Sequence, residues 1–298
     1  MGIITYRGLC GKAGKWQTLT PCCAHLLAGD YLLLCANCGH QQADGFSFCT
    51  QCGHSLQSSQ RAPLQGAKGR LGPEGAPWRS GQVVLGIVLI ALAALVVSQV
   101  VVLLAGRDNP ALAAWLTSLL LGVVILVIVW AVALRPYRAP LSSLGLRAPE
   151  VPPLKWAGMT VGVLLLSLGA TALYAALVRL TGIDILLPPE IPVNIVFPGL
   201  GAALTFLALA LWTPLTEEIF FRGFIFSGLI PRWSLPGAMI ISALIFSAFH
   251  VSLGVLIPIF ITGTLLAWLY RQSGSLWPSI IAHAGQNGAA LLATIYGV

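Results

Sequence analysis

Residues 195–230 read IVFPGLGAALTFLALALWTPLTEEIFFRGFIFSGLI, an apolar run that contains just three charged side chains, Glu217, Glu218 and Arg222. A membrane helix needs about 20 apolar residues to cross roughly 30 Å of hydrocarbon. Because lipid offers the backbone no hydrogen-bond partner, a run of this length without two-residue alternation is expected to be helical. The stretch therefore predicts a membrane-embedded helix that carries ionisable groups.

The whole chain has the composition of a membrane protein. Of its 298 residues, 57% are hydrophobic and 8% are charged, and the mean hydropathy is +0.87. Soluble domains carry about a quarter charged residues, so a water-soluble enzyme is excluded, as are a disordered and a collagen-like chain. The apolar runs predict an all-α polytopic membrane helix bundle of about seven to eight transmembrane helices. The candidate spans are 83–105, 111–134, 154–180, 195–216 (running on through 230), 235–252, 254–270 and 275–297.

Basic residues indicate how the chain is oriented. Seven of them lie in the first 82 residues, and most of the others lie in alternate loops. The positive-inside rule places these segments in the cytoplasm. We predict an integral, multi-pass protein of a bacterial cell membrane, with the carboxyl terminus outside if seven spans form. Whether the number of spans is odd or even depends on the run at 195–230, which contains Pro198 and Pro214 and could break into two helices.

All seven cysteines lie in the first 52 residues, which predicts a separate amino-terminal module. Two Cys-x-x-Cys-Gly knuckles, Cys35 with Cys38 and Cys49 with Cys52, are spaced much like four-cysteine zinc sites. A segment this short cannot bury a core of its own, so a structural Zn²⁺ would supply most of its folding free energy. The module resembles a short zinc ribbon.

These features divide the chain into an unassigned segment 1–30, a zinc ribbon 31–55, a flexible linker 56–82 and a transmembrane domain 83–298. Disulfide pairing is the alternative use of the four knuckle cysteines, and the predicted cytoplasmic placement disfavours it. A redox role is disfavoured because the strand and helix context of a thioredoxin fold is missing. We expect the ribbon to be structural or to bind a protein partner. The scattered basic residues support no nucleic-acid role.

The charged residues of the 195–230 run form the first of three polar clusters within apolar spans. Ionisable groups at mid-bilayer cost about 2.5–3.5 kcal/mol each on insertion scales, so they are rare and usually functional. Residues four apart share a helix face, which predicts an ion pair between Glu218 and Arg222. Glu217, turned about 100° around the helix, is left without a local partner and free to face another group.

The other two clusters place Phe246 with His250, and His283 with Asn287, each pair four residues apart. Taken singly, an intramembrane His or Asn often serves only to hydrogen-bond one helix to another. As a set, one carboxylate, two imidazoles and one amide are the groups that a water-activating hydrolase requires. We therefore expect three helices to direct these side chains into one interior site.

The three motifs together resemble the signatures of the CPBP family, which comprises the CAAX proteases and bacteriocin-processing enzymes and is also called type II CAAX prenyl endopeptidase-like or Abi. The family pattern is Glu-Glu-x-x-x-Arg, then Phe-x-x-x-His, then His-x-x-x-Asn or Asp. This chain meets all three in order, over roughly residues 195–290, with weaker similarity at 143–147. A zinc ribbon is not part of the family pattern, so the amino-terminal module is expected to be an addition.

The resemblance implies hydrolysis of a peptide bond within the membrane. On that reading Glu217 and His250 hold and activate a water molecule, while His283 and Asn287 stabilise the oxyanion. Both functions suit the chemistry of these groups, because a carboxylate can act as a base and His and Asn donors can converge on one negative charge. The supporting residues would be Glu218, Arg222 and Phe246.

Some functional questions stay open at this level. Family members are commonly described as metalloproteases, but the chain lacks His-Glu-x-x-His, and we favour water activation by Glu and His without zinc. A transporter or proton relay is an alternative, since buried Glu and His also suit that role, and so is a non-catalytic membrane scaffold or immunity protein. The expected partners are the lipid bilayer and a peptide or protein substrate, for which a CAAX-like and a bacteriocin-like peptide are the two alternatives.

Overall fold

The computed structural model describes residues 32–34, 41–43, 51 and 76–297. The chain divides into two units, Met1–Arg70 and Leu71–Val298. The predicted zinc ligands Cys35, Cys38, Cys49 and Cys52 lie outside the described residues, so the zinc ribbon stays a prediction.

In the first unit, two short strands pair in an antiparallel sheet. Strand β1 is Leu32–Leu34 and strand β2 is Gln41–Ala43, with Leu33 opposite Gln42. In the sequence, the first Cys-x-x-Cys knuckle falls between these two strands.

Over its described residues, 76–297, all regular structure of the second unit is helical. The nine α-helices in this range are α1 Ser80–Ala105, α2 Pro110–Val129, α3 Arg135–Tyr137, α4 Pro153–Thr181, α5 Ala202–Thr205, α6 Thr213–Glu218, α7 Ser227–Ala248, α8 Leu253–Ser273 and α9 Leu276–Tyr296. Three π-helices lie between them, at Trp130–Leu134, Phe206–Trp212 and Ile219–Phe226. Short 3₁₀ turns occur at Leu141–Leu144, Asp184–Leu186, Val193–Ile195 and Gly199–Gly201. The prediction of an all-α membrane bundle is confirmed for this unit.

Within the described residues, five helical stretches are long and apolar enough to cross a membrane. They are Ser80–Ala105, Pro110–Tyr137, Pro153–Thr181, Gly199–Ala248 and Leu253–Ser273. Helix α9 has sufficient length at 21 residues, but its own His, Gln and Asn side chains lower its mean hydropathy. It nevertheless packs against α4 and α8, and so belongs to the bundle.

The stretch Gly199–Ala248 consists of two helical segments rather than one straight helix. At 50 residues a straight helix would be about 75 Å long, far more than a bilayer requires. The chain bends at Ser234, whose φ of 58° and ψ of 171° are not helical. The sequence suggested breaks at Pro198 or Pro214. The helical stretch begins directly after Pro198 and continues through Pro214, which lies in the first turn of α6.

The core of the unit is formed by aromatic side chains of the π-helix Ile219–Phe226 and the helices that enclose it. All eight residues of this π-helix are buried. Its Phe221 ring meets Phe246 of α7 edge to face, with centroids 4.9 Å apart. This dense packing surrounds the Glu-Glu pair at the end of α6 and holds it in place within the bundle.

Candidate active site

The ion pair predicted from the four-residue spacing is present and fully buried. Arg222 Nη1 donates to Glu218 Oε1 at 2.5 Å, and the two side chains are 1% and 0% exposed. A second guanidinium nitrogen, Nη2, donates to the carbonyl oxygen of Gly263 on α8 at 3.3 Å. The guanidinium also lies over the ring of Phe246, 4.3 Å from its centroid. Arg222 therefore ties three helical segments together around one carboxylate.

His283 of α9 contacts both carboxylates of the pair. Its Nδ1 lies 2.8 Å from Glu218 Oε1, a hydrogen bond in which the nitrogen donates and the carboxylate accepts. Its Nε2 lies 3.6 Å from Glu217 Oε2, an ion-pair distance too long for a hydrogen bond. The sequence analysis paired Glu217 with His250 through a water molecule, whereas the imidazole that the structure places nearest to Glu217 is that of His283.

The two adjacent glutamates differ in the exposure of their side chains. The side chain of Glu218 is 0% exposed, whereas that of Glu217 is 22% exposed. Of the pair, only Glu217 can meet a water molecule or a substrate that enters the bundle. The sequence alone did not predict which of the two glutamates is exposed, since they are consecutive residues of one helix.

His250 lies in the turn that follows α7 and is exposed. Its Nδ1 lies 3.0 Å from the carbonyl oxygen of Phe246, which accepts the hydrogen bond. The rings of Phe246 and His250 are edge to face with centroids 5.1 Å apart, and His283 meets the same phenylalanine at 5.7 Å. Both imidazoles thus contact one ring. Among the described residues, no hydrogen bond or ion pair joins His250 directly to Glu217.

Asn287 has a partner of its own, one turn of α9 beyond His283. Its Nδ2 donates to the carbonyl oxygen of Leu209 at 3.0 Å, in the π-helix before the Glu-Glu pair. A side-chain amide nitrogen carries two hydrogens, so this bond leaves one of them for another acceptor. The structure therefore brings the two glutamates, Arg222, Phe246 and His283 into direct contact, and places His250 and Asn287 at the edges of that group.

Gly263 is a member of this site that the sequence analysis did not identify. A side chain at this position would meet Phe246 Cδ1 at 3.1 Å and Ala243 Cα at 3.2 Å, so the glycine allows α7 and α8 to approach closely. Its carbonyl oxygen is the acceptor for Arg222. A glycine in the middle of a helical run was the available signal, because such glycines usually mark a close contact.

The residues of the site do not form a recognisable metal-binding set. Among the described residues, no group of three or more His, Cys, Asp or Glu is arranged to hold a metal ion. Oε1 of Glu218 already accepts hydrogen bonds from Arg222 and His283.

Comparison with known proteins shows what this region of the chain is similar to. Residues 199–289 match the family model described as Type II CAAX prenyl endopeptidase Rce1-like. Over these residues, called the Rce1-like domain below, the chain is similar to CAAX-type endopeptidases. The matched range contains all seven site residues that the sequence predicted. No curated protein and no solved structure matches the chain.

This match supports the family resemblance over residues 199–289. The family consists of membrane proteases, which hydrolyse peptide bonds. Together with the five apolar helices, it establishes an integral, multi-pass membrane protein. The individual catalytic residues, the substrate and the zinc ribbon stay predictions.

Proposed function

We propose that the Rce1-like domain is an intramembrane endopeptidase that hydrolyses a peptide bond of a membrane-associated substrate, with Glu217 as the general base. The observation that carries the proposal is the position of Glu217. Its partly exposed carboxylate stands beside a buried network of Glu218, Arg222 and His283 that fixes the surrounding side chains. A general base needs access to water, and the 22% exposure of the Glu217 side chain is consistent with such access.

The hydrogen bond of His250 suits it to hold the same water molecule. Because Nδ1 donates to the carbonyl oxygen of Phe246, the neutral ring has no proton on Nε2. The lone pair of Nε2 can then accept a hydrogen bond from water. We propose that this water lies between Glu217 and His250, each of which accepts one of its hydrogens.

In the proposed reaction, Glu217 takes a proton from the water, and the resulting hydroxide adds to the carbonyl carbon of the scissile bond. Negative charge moves to the carbonyl oxygen, which we propose is stabilised by His283 and by the second amide hydrogen of Asn287. Glu217 then returns the proton to the departing amine nitrogen as the carbon–nitrogen bond breaks. The buried pair of Glu218 and Arg222 positions the groups but does not touch the substrate.

The substrate class follows from the family name and from the membrane location. We propose a peptide held at the bilayer by a lipid anchor, of which a prenylated CAAX-type peptide is the first to test; a bacteriocin-like peptide is the alternative. Cleavage of the prenylated peptide but not of its unprenylated counterpart would support recognition of the anchor. Equal cleavage of both would contradict it.

The general-base assignment is tested by variants of the full chain in proteoliposomes. Glu217→Gln and His250→Ala should each lower the cleavage rate by about 10²–10⁴-fold, since each removes a group that handles the water proton. The matched control is Glu190→Gln, which changes an exposed carboxylate in a loop and should cleave normally. Full cleavage by both site variants would contradict the proposal, and ion flux without any cleavage would indicate the transporter alternative.

For the amino-terminal module we propose a structural Zn²⁺ held by the four knuckle cysteines, Cys35, Cys38, Cys49 and Cys52. Their spacing supports this proposal, since each Cys-x-x-Cys turn can present two thiolates to one tetrahedral ion. This site is separate from the proposed peptidase chemistry.

A further inference from the structure

A cavity of about 320 Å³ lies where helix α1 begins, between the start of that helix and the start of α7. Its volume is at the lower end of the range for small-molecule sites, about 300–1,000 Å³. Its walls include Trp78, Arg79 and Ser80 on one side and Gly228 and Arg232 on the other. Of the described residues that line it, none belongs to the candidate active site.

Trp78 is the fixed part of this cavity. Its side chain is 1% exposed, and its indole Nε1 donates to the carbonyl oxygen of Phe224 at 2.9 Å. Gly228 allows this close packing, because a side chain at that position would lie 2.7 Å from the indole nitrogen. The buried indole therefore ties the start of α1 to the core and places Arg79, the next residue, beside α7.

Two exposed arginines line the cavity, Arg79 just before α1 and Arg232 on α7. Arg232 follows Gly228 by four residues, so both lie on the same face of α7. Among the described residues, none of those that line the cavity is acidic, and neither arginine forms an ion pair. The cavity also adjoins the amino terminus of a 26-residue helix whose first turn carries no acidic side chain. Because that end of a helix dipole is positive, the local charge favours an anion.

The cavity lies at the strongly basic end of the helical unit. The start of α1 and the end of α2 meet there, since Gln82 Nε2 donates to the hydroxyl of Tyr137 at 2.5 Å. Of the described residues, seven at this end are basic and one, Glu150, is acidic, and Glu150 pairs with Arg147 at 2.9 Å. The positive-inside rule accounts for the sign of this charge, but not for a cavity between two of the cations. The seven basic residues are Arg79, Arg135, Arg138, Arg147, Lys155, Arg232 and Arg271.

We propose that this cavity binds the phosphate group of an anionic phospholipid from the adjoining leaflet, with Arg79 and Arg232 as the residues that hold it. Guanidinium groups bind phosphate oxygens through paired N–H donors, and basic pockets between membrane helices bind anionic head groups. Both arginines lie at the ends of membrane-spanning segments, which is the depth of the lipid head groups. The bound lipid holds the start of α1 against α7. This site is independent of the proposed peptidase chemistry, because it uses none of the same residues.

The test uses the full chain in lipid nanodiscs and follows the midpoint of thermal unfolding. Adding phosphatidylglycerol, an anionic lipid, to phosphatidylcholine discs should raise the wild-type midpoint, because a ligand that binds the folded protein stabilises it. In the double variant Arg79→Gln/Arg232→Gln, the same rise should require about tenfold more phosphatidylglycerol or should not be reached. In pure phosphatidylcholine this variant should unfold at the wild-type midpoint, since exposed charges contribute little to stability.

The matched control is Arg138→Gln/Lys155→Gln, which removes two exposed cations from the same end that do not line the cavity. This control should keep the wild-type response. An equal rise in the wild type and in Arg79→Gln/Arg232→Gln would overturn the proposal. An equal loss in both double variants would also overturn it, because it would indicate general attraction to a basic surface.

Inorganic phosphate distinguishes a lipid from a soluble anion. Added to phosphatidylcholine discs, it should leave the wild-type midpoint unchanged. A rise that inorganic phosphate produces and phosphatidylglycerol does not would assign the cavity to a soluble anion and overturn the lipid. A wild-type midpoint that responds to neither would overturn the site itself.

Discussion

At the scale of single residues, the site is organised around the shared oxygen of Glu218. This atom accepts hydrogen bonds from Arg222 on its own helical run and from His283 on α9. The spacing of Glu218 and Arg222 predicted the first of these bonds, because it depends only on the geometry of one helix. The second could not be predicted, since helix periodicity shows which residues share a face but not which neighbouring helix that face meets.

Substitution of Arg222 measures how much the buried ion pair contributes to the free energy of unfolding. Arg222→Met removes the cation and leaves a carboxylate that is 0% exposed without its closest partner. Loss of one member of a buried ion pair costs about 3–5 kcal/mol, so the variant should unfold at clearly lower denaturant concentration in mild detergent. The double variant Glu218→Gln/Arg222→Met removes both charges and should recover part of that loss. A double variant less stable than Arg222→Met would contradict the account of a coupled pair.

At the scale of secondary structure, apolar run lengths predicted most helix positions well. The predicted spans 83–105, 154–180 and 275–297 correspond to α1, α4 and α9, with ends that differ by at most three residues. Run length carries this information because a bilayer sets the length of the helices that cross it. The bend at Ser234 falls between the predicted spans that end at 230 and begin at 235. Run length did not predict the π-helices on either side of the Glu-Glu pair.

The segment around Gly145 connects the start of α9 to the loop before α4. Gly145 has a φ of +88°, and its carbonyl oxygen accepts from the backbone nitrogen of Leu276 at 2.9 Å. Arg147 Nε donates to the carbonyl oxygen of Gly274 at 2.8 Å, and Ser275 Oγ donates to that of Arg147 at 2.5 Å. These bonds fix the α8–α9 turn, and with it the direction of the helix that carries His283.

Gly145→Ala should therefore destabilise the protein. A side chain there would lie 2.4 Å from Tyr270 Cε2, and positive φ is unfavourable for alanine. The matched control is Gly158→Ala in α4, where a side chain would meet nothing within 4 Å and alanine is the better helix former by about 1 kcal/mol. Thermal unfolding in detergent should show a lower midpoint for Gly145→Ala and an equal or higher one for Gly158→Ala. Equal midpoints for Gly145→Ala and the wild type would contradict this view of the segment.

At the scale of the whole molecule, composition alone predicted a membrane bundle, because 8% charged residues cannot cover a soluble surface. The two-unit division, Met1–Arg70 and Leu71–Val298, places all seven cysteines in the first unit and the whole Rce1-like match in the second. The chemistry of the two units can therefore be tested separately within the same chain.

Zinc content provides that test. The purified full chain should contain one Zn²⁺ per molecule, and Cys35→Ser or Cys49→Ser should reduce the content sharply, because a tetrahedral site loses a thiolate. The matched control is Cys10→Ser, which changes a cysteine outside the knuckles and should keep the metal. Peptide cleavage should be unchanged in all three variants. Full zinc content in both knuckle variants would contradict the predicted ribbon.

The central claim is that side chains from separate membrane helices meet around one water molecule that Glu217 activates. An experimental structure of the full chain in a lipid nanodisc, at a resolution that shows ordered water, tests this most directly. We expect one water within about 3 Å of both a Glu217 carboxylate oxygen and His250 Nε2. A Glu217 carboxylate directed toward the lipid acyl chains, or too far from His250 for a single water to bridge them, would contradict the claim.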